Sequence, residues 1–188
     1  MTSGTAATGG GLPTLLLVHG AWHGAWCWER FVPWLEARGY RVVAPDLRKH
    51  GAKTDRAGLR WTRIGEYVED VSGVLDGLSG PVVVGHSMGG LIAQKVLERR
   101  GAAGLALLAS VPTGGVLAAT PGLPVLVVGG EQDGIFTPEE VRRTARAYGS
   151  EAVLIAGSGH DLMLDVGWEE AAARIDGWVR ERVTAAAA

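Results

Sequence analysis

A single cysteine, Cys27, stands in 188 residues. That excludes an internal disulfide and any zinc site built from several thiolates. No apolar run approaches the roughly 18 residues that a membrane-spanning helix needs, so no membrane partner is expected. Charge of one sign is also lacking: 18 Lys and Arg face 20 Asp and Glu, a formal net charge of −2. A general nucleic-acid binder is markedly basic, so that class is set aside. The opening MTSGTAATGGG holds neither a basic nor an apolar stretch. It reads as a flexible tail without a signal peptide, which points to a cytoplasmic protein. The sequence spells out no phosphate loop or dinucleotide fingerprint and no metal-ligand spacing, so neither cofactor nor metal is expected.

What is present is globular: 47% of the residues are hydrophobic and 20% charged, enough for one packed domain. That domain is expected over residues 12–183, between tails at 1–11 and 184–188. Short Val- and Leu-rich runs recur at 14–20, 40–46, 80–87, 104–110, 123–130 and 151–159. Runs without polar alternation suit strands buried on both faces. Between them, amphipathic stretches predict helices near 26–38, 64–78, 88–100, 138–148 and 167–182. Strand and helix in alternation imply an α/β fold. It is a doubly wound, about six-stranded and mainly parallel sheet flanked by helices, with ligands bound beyond the carboxyl ends of the strands.

That rule sorts the chemistry. VVVGHSMGG (82–90) leaves a Val-rich strand and enters a helix, with glycines on both sides of Ser87. A serine on such a turn is a nucleophile candidate; the plain alternative is a helix N-cap. The serine needs a base, and His160, after the last strand in GSGHDLML, is the best placed. His19, His23, His50 and His86 are poorer candidates, and His19 suits a brace for the first loop. The base needs an acid: Asp133 in GGEQDG follows a buried strand, with Glu131 as the fallback. The order Ser87, Asp133, His160 is that of the α/β-hydrolase triad. In VHGAWHGAWCW, the HG and small residue mark a loop whose Ala21 amide would join the Met88 amide in holding an oxyanion. Trp22, Leu162 and Met163 are expected to wall a substrate pocket, whereas most of the seven tryptophans read as core.

HGAWHGAWCWERFVPWLEARGYRVVAPDL, VVVGHSMGGLIAQ and VVGGEQD…GSGHDLML each resemble the matching blocks of the α/β-hydrolase superfamily, in particular its bacterial lidded esterases. The likeness runs from about Leu12 to Val183. It implies cofactor-free hydrolysis of a small carboxylic ester, or of a thioester or other activated acyl bond. The HGAWHGAW loop also resembles plant methyl esterases and hydroxynitrile lyases. The lyases carry lysine after the catalytic histidine, where this chain has Asp161. Dehalogenases and epoxide hydrolases carry aspartate where this chain has Ser87.

Two departures matter. The segment VPTGGVLAATPG (111–122) stands where the family inserts a helical cap, so no cap domain and an open site are expected. DLRKHG replaces the commoner D-L-x-G-H-G; Arg48 and Lys49 either attract an anionic substrate or are merely solvated. A small-molecule-binding protein that keeps the triad, and an acyl-transfer or cyclising enzyme, stay open as rivals. The oligomeric state is left open.

Overall fold

A computed structural model describes residues 11–51, 56–111 and 122–184. All six apolar runs become strands: β1 (Leu15–Val18), β2 (Val42–Val43), β3 (Val82–His86), β4 (Gly104–Leu108), β5 (Val125–Gly130) and β6 (Ala152–Ile155). They form one sheet in the order β2-β1-β3-β4-β5-β6, and every neighbouring pair is parallel. The chain first winds outward from β1 to β2, then returns to lay β3 on the other flank of β1. A crevice opens at the carboxyl end of such a reversal.

Alternation along each strand decides which helix covers which face. Leu15, Leu17, Val82, Val84, Ala106, Leu108 and Val128 share one core with Phe31 and Leu35 of α1 (Phe31–Glu36) and with Ala171, Ala172 and Ile175 of α5 (Trp168–Trp178). Leu16, Val18, Val83, Leu105, Leu107 and Val127 face the other way. They meet Tyr67, Val71 and Leu75 of α2 (Ile64–Leu75), Ile92 and Val96 of α3 (Met88–Leu97), and Val141 and Ala145 of α4 (Pro138–Ala147). Burial of a Leu, Val or Ile contributes about 1.5–3 kcal/mol per side chain. A one-residue register slip in any central strand would therefore forfeit several of these at once.

Two expected helices are divided. The segment 26–38 becomes a 3₁₀ turn (Ala25–Trp28) followed by α1. Pro33 lacks an amide hydrogen and fits only a first turn, so a new helix begins at Phe31. The segment 167–182 becomes α5 and a π-helical turn, Val179–Thr184. Most of the expected tails, and nearly all of the connection 111–122, lie outside the described residues. The short connection therefore stands as a fact of the sequence. None of the described helices is long and apolar enough to cross a membrane.

Candidate active site

Three loops converge at the carboxyl edge of the sheet. Ser87 sits between β3 and α3 with φ 51° and ψ −118°. That backbone costs a residue with a side chain on the order of 1–3 kcal/mol. It is held by hydrogen bonds from Ser87 N to Leu108 O (3.0 Å) and to Ser87 O from Gly90 N (3.0 Å) and Val111 N (3.2 Å). The neighbouring glycines are required by space. A Cβ on Gly85 would lie 2.6 Å from both Gly89 O and Gly90 Cα, and one on Gly89 would collide with the carbonyls of Val18 and His19. The N-cap alternative fails on geometry, because the Ser87 side chain makes no capping hydrogen bond. Ser87 stands at the amino end of α3, where unpaired amides and the helix dipole favour negative charge.

His160 lies in the loop after β6. Its Nδ1 is 2.9 Å from Oδ2 of Asp133. The Asp133 side chain is fully buried, and its Oδ1 accepts from the amides of Ile135 (2.7 Å) and Phe136 (3.1 Å). The turn carrying Asp133 is anchored at the start of α4 by a capping box. There Thr137 N donates to Glu140 Oε2 (2.8 Å) and Glu140 N to Thr137 Oγ1 (3.3 Å). Glu131, the fallback acid, is exposed. Asp165 steadies the histidine loop by accepting from Gly159 N (2.5 Å) and Val166 N (2.7 Å). Those two bonds hold its carboxyl below the usual range. With Nδ1 committed to the carboxylate, Nε2 is the ring nitrogen left to accept a proton.

His86 joins Ser87 to this base. Its ring is fully buried, lies 5.0 Å from that of His160 between centroids, and places Nε2 3.1 Å from the His160 carbonyl oxygen. A carbonyl only accepts, so Nε2–H donates. Burial, and then the charge of His160, push His86 down to about 3, so it stays neutral. His19 also stays neutral. Its Nε2 accepts from Leu47 N (3.1 Å), its Nδ1 meets Gly20 O at 2.8 Å, and burial pushes it down to about 4. It braces the loop that carries Ala21.

Ala21 and Met88 line one cleft of about 220 Å³ together with Trp22, Leu59, Ile64 and Tyr67. Trp22 is 80% exposed, and its φ of 68° turns it out over this cleft. Leu59, Ile64 and Tyr67 escape sequence reasoning because they come from the turn before α2 and from the first two turns of α2 itself, which carry no motif. Leu162 and Met163 need correcting as pocket walls. Both are fully buried, packed in the α1/α5 core, because hydrogen bonds from Leu164 N (2.8 Å) and Asp165 N (3.0 Å) to Asp161 O turn the segment inward. Arg48 is likewise spoken for. Its guanidinium pairs with both oxygens of Asp70 (2.6–2.9 Å) and with Glu66 (3.1 Å). Lys49 Nζ donates to Ala57 O at 2.6 Å. Arg48 is thus no free cation for an anionic substrate, whereas the bond of Lys49 is to a neutral carbonyl.

The chain is similar to known proteins. Residues 15–124 match the model of the alpha/beta hydrolase family. Methylesterase 2 of Arabidopsis thaliana is 44% identical over 87 residues, covering 45% of this chain and 33% of the relative. Esterase PIR7B of Oryza sativa subsp. japonica is 34% identical over 140 residues, covering 69% of this chain and 45% of the relative. The chain thus spans less than half the length of these relatives. Among solved structures, a methylesterase from Arabidopsis superposes with a TM-score of 0.77 at 18% identity, over 90% of this chain and 99% of that one. An esterase from Thermogutta terrifontis gives 0.75 at 22% identity, over 94% and 92%. Those two likenesses speak for the fold. With more than half of its length inside the family model, the chain belongs to the alpha/beta hydrolase family.

Proposed function

We propose that the protein hydrolyses small carboxylic esters through an acyl-enzyme on Ser87. The observations that carry this reading are a strained serine at the carboxyl end of β3, free of any capping bond, and the His160–Asp133 pair at 2.9 Å, whose loop is tied to the serine's neighbour His86 by a 3.1 Å hydrogen bond. Relatives named methylesterase and esterase, 44% and 34% identical over their matched segments, support an ester as the substrate. His160 Nε2 takes the hydroxyl proton as Ser87 Oγ bonds to the acyl carbon, and the Ala21 and Met88 amides hold the oxyanion. His160 then gives that proton to the leaving alcohol as the C–O bond breaks. Water attacks the acyl-serine with His160 again as base, and the acid departs. Asp133 stays ionised and holds the tautomer.

Residues 109–124 alone join β4 to β5, which supports an uncapped site that takes short, soluble acyl groups. Hydrolysis of p-nitrophenyl acetate, butyrate and octanoate by wild type and Ser87→Ala tests the scheme. Serine-dependent turnover that falls with chain length is expected. Equal turnover by Ser87→Ala sinks the scheme. No turnover by either, with no fluorophosphonate labelling of Ser87, would favour the ligand-binding alternative.

A further inference from the structure

Among the described residues, three metal-ligating side chains converge at one place: His23, His86 and Asp161, one donor atom from each lying within 4.8 Å of the others. They come from the loop after β1, the end of β3 and the loop after β6. No local spacing in the sequence announces the group. His23 Nε2 is 3.5 Å and His86 Nε2 3.6 Å from the same oxygen, Asp161 Oδ1.

These separations select among interactions. An N–H···O hydrogen bond centres on about 2.9–3.0 Å. Two donors bound to one ion at 2.0–2.1 Å and a tetrahedral angle lie about 3.3–3.4 Å apart. The observed values stand nearer the second figure. Asp161 Oδ1 is buried and has no hydrogen-bond partner, a costly state for a carboxylate oxygen. His23 sharpens the problem. Its Nδ1 lies 2.9 Å from the carbonyl oxygen of Ala21, so Nδ1 must carry a hydrogen. In the neutral ring, Nε2 then turns a lone pair toward the carboxylate. Two lone pairs then face each other, and either a proton on Nε2 or a metal cation held between them makes the contact attractive. A ligating histidine anchored through its other nitrogen to a carbonyl is a recurrent support for metal binding.

We propose that His23, His86 and Asp161 bind a divalent transition-metal ion of the kind that accepts imidazole and carboxylate together, with Zn²⁺ as the probe, and that an ion there slows ester cleavage. His86 Nδ1 has no hydrogen-bond partner, so its tautomer can switch. The proton moves from Nε2 to Nδ1 without breaking a bond at Nδ1, and Nε2 turns its lone pair to the ion. The hydrogen bond to the His160 carbonyl (3.1 Å) is then lost. The dication also lies beside the base, whose ring is 5.0 Å from that of His86. The transition state places a positive charge on His160, and a second positive charge nearby opposes it. The Asp161 side chain is 45% exposed, which gives an ion a route in. Affinity falls in acid, because protons compete for the imidazoles.

The inhibitory half rests on the esterase reading; the binding half does not. Untagged, chelator-treated protein is titrated with ZnCl₂ by calorimetry, alongside His23→Gln and Asp161→Asn. One saturable equivalent is expected, weakened at least about tenfold in each variant. Absence of saturable binding, or binding that survives both substitutions, overturns the site whether or not any ester is cleaved. Assays on p-nitrophenyl acetate then read the second half: kcat falls with zinc in the wild type and resists it in Asp161→Asn. Saturable zinc binding without loss of kcat overturns the inhibition and leaves the site.

Discussion

His160 Nδ1 stands 2.9 Å from Oδ2 of Asp133, and the other oxygen of that carboxylate takes the Ile135 and Phe136 amides. The acid is thereby fixed from behind and cannot swing away from the imidazole. Replacing it by asparagine keeps the shape but offers an N–H₂ group toward Nδ1, which favours the wrong tautomer. Asp133→Asn is expected to lower kcat for a p-nitrophenyl ester about 10³- to 10⁴-fold. KM should change little and near-ultraviolet circular dichroism should be unaltered. A loss below tenfold would remove Asp133 from the mechanism.

How far such a site can be read in advance depends on how local its signal is. The six strands are legible because strands buried on both faces need unbroken apolar runs, and Leu15–Val18 and Val82–His86 show them. The serine turn is legible because close backbone approach leaves only glycine at 85 and 89. Pocket walls are another matter. Leu162 and Met163 follow the histidine directly, yet the chain reverses at Asp161 and carries them into the core. Leu59 and Tyr67 reach the cleft from a segment with no motif. The pairing of Arg48 is hidden because its partners, Glu66 and Asp70, are on α2. Sequence distance hides all of these, as it hides the His23–His86–Asp161 group.

The engagement of Arg48 leads to a second prediction. Arg48→Met removes a guanidinium that holds the loop after β2 to α2 and should lower Tm. The ratio of kcat/KM for an anionic ester to that for a neutral one should stay as in wild type, at low and high salt alike. A selective loss on the anionic ester at low salt would restore Arg48 as a substrate-attracting group.

Trp22 is the exposed wall of the cleft beside Ala21 and Met88. An apolar wall stabilises each added methylene of a bound acyl chain by up to about 0.8 kcal/mol. Trp22→Ala should therefore raise KM for p-nitrophenyl butyrate several-fold more than for the acetate, with kcat nearly constant. Equal effects on the two esters would place the acyl chain elsewhere.

The strain at Ser87 predicts an exchange of activity for stability. Glycine reaches φ 51° and ψ −118° without a Cβ clash, and relief of on the order of 1–3 kcal/mol exceeds the 0.5–1 kcal/mol or so by which glycine's chain entropy destabilises. Ser87→Gly should be inactive yet more stable than wild type by about 1 kcal/mol in urea unfolding. A destabilised variant would mean that hydrogen bonds of the hydroxyl, and not backbone strain, dominate at this position.

His19 is one of two buried histidines, with His86, that weaken the fold in acid. Its neutral ring lies 2.8 Å from Gly20 O through Nδ1 and accepts from Leu47 through Nε2; a proton on Nε2 would abolish the second bond inside a buried site. The unfolded chain takes up that proton near 6.5 and the folded chain only near 4. Between those values the unfolded state binds more protons, so stability falls as pH drops through this window and is fully present above it. The loss from this one group reaches on the order of 3 kcal/mol at pH 4. His86, with its folded value near 3, adds to the loss with the same sign and extends it to lower pH. Urea unfolding at pH 7, 5.5 and 4.5 should show the decline in wild type and a shallower one in His19→Gln. An identical slope in the variant would mean that groups other than His19 govern acid unfolding.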